Sequence, residues 1–325
     1  MNGYECVWLR TYYTIEFVAA YLNRAENEDD TINGIELARI NNIEIKPIKF
    51  GKSDADYAID RKENCIYKGI ESIKYCNATI AHELLIVANE KHYNSFIELL
   101  DSISDKTSVN ARQLKILTSL NFFSDFGKNQ RLLGLIDLYS GVKDEKTKKN
   151  LLPSIRTCSQ IKKDKLENYS NYGITEFLVK KYSGKETPKQ YSNIDNIGLL
   201  TELIEKIPDK SMSIQQQCKV EKEYLQYVVY TNPKINECYY IVVDYTVYKD
   251  VTKPYVTLRN INTGKETKTK IKQSKIYRDN PFGLFSILRI NDFAQDYKGK
   301  YDVNGDYIRI DELELVLKEY EVIKQ

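Results

Sequence analysis

Apolar residues recur at three- and four-residue steps through TIEFVAAYL (14–22) and INGIELARI (32–40), the spacing that gives a helix one buried face. An extended stretch, IEIKPIKF (43–50), comes next, with Pro47 disfavouring helix. DYAID and CIYKGI, joined by RKEN, have the pattern of a strand pair. The helical period then returns four times, in ATIAHELLIVANEK, FIELLDSI, ARQLKILTSLNFF and QRLLGLIDLY. Short amphipathic helices with short connections predict a compact helical unit.

From Val142 to Lys165 the apolar signal fades and lysines gather: Lys143, Lys146, Lys148, Lys149, Lys162, Lys163 and Lys165. With three acidic residues among them, this run predicts a solvated, partly helical basic linker. ITEFLVKKY and IGLLTELIEKI predict two further helices, ending at Gly184 and Pro208, and SIQQQCKVEKEYLQYV a helix or helix-to-strand passage. Beyond Tyr224 the pattern becomes alternating, β-branched and aromatic. CYYIVVDYTVY and FSILRINDF read as strands, and PYVTLRNINTGKETKTKIK as two strands around a turn at Asn262 to Gly264. KYDVNGDYIRI reads as a hairpin about Asn304-Gly305, and LELVLKEYEVI as a closing strand. Five or six strands in so short a stretch predict a small β-barrel of the OB kind. The predicted class is α+β and multidomain: 1–45 helical, 46–141 a helical hairpin domain, 142–218 the basic linker, 219–325 the barrel.

Composition narrows the function classes. Hydrophobic residues at 42% and charged residues at 29% are a soluble balance. Net charge is only +2, so attraction to nucleic acid requires local patches. The 26 tyrosines suit cores, strands and base-stacking surfaces alike. Six scattered cysteines without a C-x-x-C pair fit a reducing, cytoplasmic setting, and with two histidines they offer no ordinary zinc set. The N-terminal stretch carries Glu5, Arg10 and Glu16, which argues against a signal peptide or membrane span. Asp302 to Asp306 hints at a calcium loop, but Tyr307 stands where that loop needs glycine and Leu313 where it needs glutamate.

Four stretches, in order, carry a resemblance. YECVWLRTYYTIEFVAAYL (4–22) matches the form Y-x-x-x-W-L-K-x-x-Y-P-x-E-F-M-A-A-x-L through Tyr4, Trp8, Leu9, Glu16, Phe17, Ala19, Ala20 and Leu22. NNIEIKPIKFGKSDADY stands against G-I-K-V-L-P-P-D-I-N-x-S-x-x-D-F, and KGIESIKYCNA against G-L-G-A-I-K-G-V-G-E. VNARQLKILTSLNFFSDFGKNQR stands against V-N-K-R-x-L-E-x-L-I-x-A-G-A-F-D-x-x-G-x-N-R. Residues 4–139 therefore resemble the bacterial replicative DNA polymerase III alpha subunit, from the end of its fingers through its tandem helix-hairpin-helix region.

The resemblance implies two hairpins that hold duplex DNA by its backbone, where helix N-termini offer amide groups to phosphates. In the first, Lys74, Asn77 and Thr79 are the candidates. There Tyr75-Cys76-Asn77 replaces the family's Gly-hydrophobic-Gly, so Asn77 is expected to supply any left-handed residue while Tyr75 adds bulk. This hairpin is either a phosphate seat or a packing turn. In the second, from Asn121 to Gly127, the candidates are Lys128, Asn129 and Arg131, which serve equally well as a capped helix start with solvated charges. The barrel resembles the family's OB-fold, which meets single-stranded template. Tyr245, Tyr248, Tyr255 and Arg259 are its stacking candidates, and Lys268, Lys270 and Lys272 a one-faced basic stripe. Core tyrosines and an edge-protecting lysine row are the alternative.

The aspartates of the family's polymerase centre lie upstream of the matching segment, so no catalytic, metal or cofactor residue is expected here. QRLLGLI at Gln130 lacks the aromatic of a clamp-binding peptide, which leaves sliding-clamp tethering doubtful. Expected partners are double- and single-stranded DNA and a polymerase catalytic half or other replisome proteins. On an isolated chain the first helices would expose an apolar face around Trp8, Phe17 and Leu22. The competing expectation is a stand-alone phage or mobile-element DNA-binding or structural protein that reuses these domains.

Overall fold

The helical period of the first forty residues produces α1 (Gly3–Tyr12), α2 (Thr14–Asn23) and α3 (Glu28–Ile40). The computed structural model describes residues 3–143, 150–152, 154–301 and 307–323. Val18, Ala19 and Leu22 of α2 are buried against Ala38 of α3 and against Ile43, Tyr57 and Ile66. Leu22 thus belongs to a core, contrary to its place in the expected open face, whereas Trp8 is exposed as that expectation had it. The apolar surface lies earlier, at Val7, Trp8, Tyr12 and Tyr13, all exposed.

Three short strands follow: β1 (Glu44–Lys46), β2 (Ala58–Asp60) and β3 (Cys65–Tyr67). β2 and β3 form the expected antiparallel pair, with Ile59 opposite Ile66, and β1 joins β3 in parallel through Ile45 and Ile66. Gly69, just after β3, lets residues 54–56 pass, since a Cβ there would lie 2.4 Å from the Ala55 carbonyl oxygen.

The four predicted helices are α4 (Ala78–Glu90), α5 (Phe96–Lys106), α6 (Ala111–Ser119) and α7 (Asn129–Ser140). Asn77, Ser95 and Asn110 cap the first three through side-chain oxygens. Their apolar faces meet in a core that includes Leu84, Leu100, Leu117 and Ile136. Phe50 leads into it, ringed by Phe122, Phe123 and Phe126 at 5.6 to 6.2 Å.

The remainder of the first compact unit, Met1–Met212, departs from a helical linker. It contains β4 (Val142–Lys143), β5 (Asn150–Leu152), β6 (Gln160–Lys162), α8 (Glu176–Lys181), β7 (Ser183–Glu186), β8 (Gln190–Ile194) and α9 (Asn196–Lys206). β6, β8 and β7 form an antiparallel sheet. Strands as short and polar as QIK and SGKE fall below the window in which a period of two is visible. Lys146, Lys148 and Lys149 lie outside the described residues.

The second unit, Ser213–Gln325, opens with α10 (Ile214–Leu225). Then come β9 (Tyr239–Thr246), β10 (Tyr255–Asn260), β11 (Glu266–Lys270), α11 (Ser274–Asp279), β12 (Ile287–Arg289), β13 (Ala294–Tyr301), β14 (Tyr307–Val316) and β15 (Glu321–Ile323). The strand order is β13-β14-β11-β10-β9-β12-β15. LELVLKEYEVI is therefore two strands on opposite sides of the sheet. That topology dictates curvature. Five strand spacings separate β14 from β15, which in a flat sheet is roughly 24 Å, whereas the chain from Val316 to Glu321 reaches at most about 17 Å. The sheet must curl, and it forms a half-barrel consistent with an OB-like fold, its core including Val242, Val256, Leu258, Leu288 and Leu317. α11 was not anticipated, and the hairpin tip at 302–306, with the Asn304-Gly305 turn and the calcium-loop hint, lies outside the described residues.

Buried Glu221 on α10 fixes the chain's exit toward β9. Its carboxylate accepts the Val229 and Tyr230 N–H groups, each at 2.8 Å, and the Gln217 side-chain amide at 3.1 Å. Burial raises its pKa above the ordinary carboxylate value. The folded protein thus holds this proton more tightly than the unfolded chain, and this contribution to stability declines as pH rises from the unfolded toward the folded pKa. Glu221→Ala strands the two backbone amides and is expected to cost about 1–3 kcal/mol for each. Glu221→Gln, which keeps an acceptor, should cost less and flatten the acid-side pH dependence. Urea midpoints between pH 4 and 8 test both; equal losses for the two variants would refute the role.

Candidate nucleic-acid interface

The first hairpin runs from Gly69 to the start of α4. Its left-handed residue is Tyr75, at φ +73°, where the resemblance has a glycine. Asn77, expected to fill that role, is instead extended at φ −147° and caps α4, its Oδ1 accepting the Ile80 N–H at 3.0 Å. A bulky aromatic with positive φ costs on the order of 1–3 kcal/mol, so the surroundings must enforce it. Gln113 of α6 donates to the Tyr75 carbonyl at 3.0 Å. The Arg112 guanidinium lies 3.6 Å from the ring centroid, and the Lys74 ammonium 5.2 Å.

Lys74, Tyr75 and Arg112 are exposed. Among the described residues no carboxylate forms an ion pair with Lys74 or Arg112. Hydrogen bonding from Arg112, and after it from Lys74, lowers the Tyr75 pKa below the ordinary phenol value. Beside this cationic cluster the N–H groups of Ala78 and Thr79 begin α4 with no acceptor among the described residues, and the Thr79 side chain is exposed. Open amides at a helix start next to two cations are the chemistry that receives a phosphodiester.

The second hairpin differs. Asn121 (φ +64°) and Gly127 (φ +141°) supply its left-handed turns. Lys128 precedes α7 without a side-chain cap, and its N–H donates to Asp209 Oδ1 at 2.8 Å. Asn129 is buried, donating to the Ser119 carbonyl at 3.3 Å and accepting the Met212 N–H at 2.9 Å. That side chain holds the fold together and presents nothing at the surface. Arg131 is partly exposed and Lys128 is exposed.

In the second unit most of the anticipated stripe is paired. Lys270 meets Glu314 at 2.7 Å, and Lys272 meets Glu314 at 3.0 Å and Asp296 at 3.1 Å. Burial works against the Lys272 charge, yet its bonds to these carboxylates hold its pKa above the ordinary lysine value. Arg259 bonds Glu266 at 3.1 Å and the Tyr230 and Val229 carbonyls at 3.3 and 3.1 Å. The Tyr245 hydroxyl meets that of Tyr277 at 2.8 Å, and burial raises its pKa. Lys268, Tyr248 and Tyr255 remain exposed, the two rings packed edge-on at 5.2 Å.

Residues 42–133, which contain both hairpins, match the family model described as a helix-hairpin-helix motif. The DNA polymerase III subunit alpha of Campylobacter jejuni is 29% identical over 134 residues, covering 40% of this chain and 11% of that protein. The subunit from Aquifex aeolicus is 31% identical over 134 residues, again 40% of this chain and 11% of the relative. That from Ureaplasma parvum is 24% identical over 132 residues, 40% of this chain and 14% of the relative. The N-terminal two-fifths of this chain is similar to DNA polymerase III subunit alpha, and the helix-hairpin-helix match lies within it. The chain spans between 11% and 14% of the length of these relatives. Among the described residues, no helix is long and apolar enough to cross a membrane, and no three His, Cys, Asp or Glu side chains group where they could hold a metal ion.

Arg112 and Gln113, within the matched region, and Asp209, beyond it, carry no signal in the sequence pattern. Each acts across 37 or more positions, and no local period or motif encodes such a contact. Titrating Tyr75 by NMR should give a phenol pKa below the usual value of about 10, and Arg112→Gln should move it back up. An unchanged value in the variant would remove Arg112 from the cluster.

Proposed function

We propose that this chain is the non-catalytic, DNA-gripping portion of a DNA polymerase III alpha-like replicase. Its first hairpin holds the duplex backbone, with Lys74 and Arg112 neutralising a phosphate that the Ala78 and Thr79 amides and the Thr79 hydroxyl receive. The observation carrying this reading is a pair of exposed cations beside amides at the start of α4, with no carboxylate partner for the cations and no acceptor for the amides among the described residues. Contacts of this kind position a protein on DNA without reading its sequence. Lys128 and Arg131 extend the grip at the second hairpin.

Single-stranded template is assigned to the second unit, through Lys268, Tyr248 and Tyr255, whose exposure suits base stacking beside a cation. The apolar side chains of Val7, Trp8, Tyr12 and Tyr13 support packing on another protein surface, which in a replicase is the catalytic half. A second reading has its own support. The carboxylates on Lys270 and Lys272 favour a β unit that is structural, as in a stand-alone phage or mobile-element protein whose hairpins alone touch DNA.

Binding of the full chain to a short duplex and to oligo-dT, measured across a salt series, tests the assignment. Lys74→Glu and Arg112→Glu should each weaken duplex binding equally on unrelated sequences. Each should also flatten the slope of log affinity against log salt by about 1. Tyr255→Ala should weaken oligo-dT binding only. Unchanged duplex affinity in both hairpin variants would refute the grip, and no oligo-dT binding at low salt would leave the structural β unit.

A further inference from the structure

Asp209 lies against the start of α7. Its carboxylate accepts the Lys128 N–H at 2.8 Å, and a Cβ on Gly127 would lie 3.4 Å from the same oxygen. The residue comes from the non-helical stretch that follows α9, 81 positions downstream of Lys128. A second bond, Met212 N–H to Asn129 Oδ1 at 2.9 Å, ties the same stretch to the buried start of α7. Residues 208–212 thus form a strap across the mouth of the second hairpin, with exposed Asp209, Lys210 and Ser211.

Side-chain caps are common among these helices, though α2 and α11 begin without one. α3, α4, α5, α6, α8, α9 and α10 are each capped by the side chain of the residue immediately before them. α7 has Lys128 at that position and no side-chain cap of its own. A carboxylate from far along the chain supplies the anion instead. Anions stabilise a helix start wherever they come from, so a phosphate brought to the Lys128 amide would compete with Asp209.

We propose that the strap is an intramolecular phosphate mimic: Asp209 occupies the second hairpin in the free protein, and duplex DNA must displace it to use both hairpins. This rests on the duplex-grip reading above. Displacement exchanges one anion for another at the Lys128 amide and releases the Met212 N–H from Asn129. A cap that only stabilises α7 would never leave.

The test uses the full chain and one short duplex. Asp209→Ala should bind about two- to tenfold more tightly than the parent. Asp209→Asn, which keeps an acceptor for the amide and guards against misfolding, should gain less. Glu205→Gln, on the last turn of α9, makes the same change of charge away from the amide and sets the general electrostatic effect, which Asp209→Ala must exceed. Hydrogen exchange at the Met212 amide should quicken when the parent is saturated with duplex. If the parent binds duplex but Asp209→Ala is no tighter than Glu205→Gln, or Met212 exchange is unchanged, the strap is a structural cap and the mimic is wrong. If neither parent nor Asp209→Ala binds duplex at low salt, the grip itself fails and the mimic with it. Binding by Asp209→Ala alone would be the strongest support.

Discussion

A helix cannot satisfy the N–H groups of its own first turn, and an anion near them is favoured by both hydrogen bonding and the aligned peptide dipoles. The two hairpins of this chain answer that constraint in opposite ways. At α4 the Asn77 side chain takes the Ile80 amide, and those of Ala78 and Thr79, beside Lys74 and Arg112, have no acceptor among the described residues. At α7 a distant carboxylate closes the amide of Lys128. The open end can receive an anion directly; the closed end must first surrender one.

The left-handed conformation of Tyr75 is held by contacts from α6. Glycine would adopt φ +73° without strain. Tyrosine adopts it under a carbonyl bond from Gln113 and a guanidinium stacked on its ring. The bulk that a glycine turn avoids becomes a platform holding Arg112 at the hairpin. In the second unit cations serve another end: Lys270 and Lys272 share Glu314 and stitch β11 and the residues after it to β14, where β11 and β14 meet through a single paired position. Lysines of one local sequence pattern therefore have different roles, decided by where the acidic residues fall in the fold.

Much of the fold was legible because it is local. Helices α2 to α7 follow from apolar spacing, and the β10–β11 hairpin from its glycine-containing turn. The curl of the sheet was legible only as a class, because what enforces it is the short link from Val316 to Glu321 across the strand order. The small β6-β8-β7 sheet was not legible, its strands being too short and polar to show alternation. At the interface, Lys74 and Thr79 were visible as residue types beside a turn. Arg112 and Asp209 were not, since each reaches its hairpin through tertiary packing. Asn129 looked like a surface contact because its burial depends on Ser119 and Met212 closing over it.

Duplex DNA is proposed to touch the protein first at the start of α4. Backbone amide shifts followed by NMR through a duplex titration locate that contact directly. The largest early changes are expected at Ala78 and Thr79, with the Arg112 side-chain resonance moving in step. Early changes confined to the second unit, with Ala78 and Thr79 still, would contradict it.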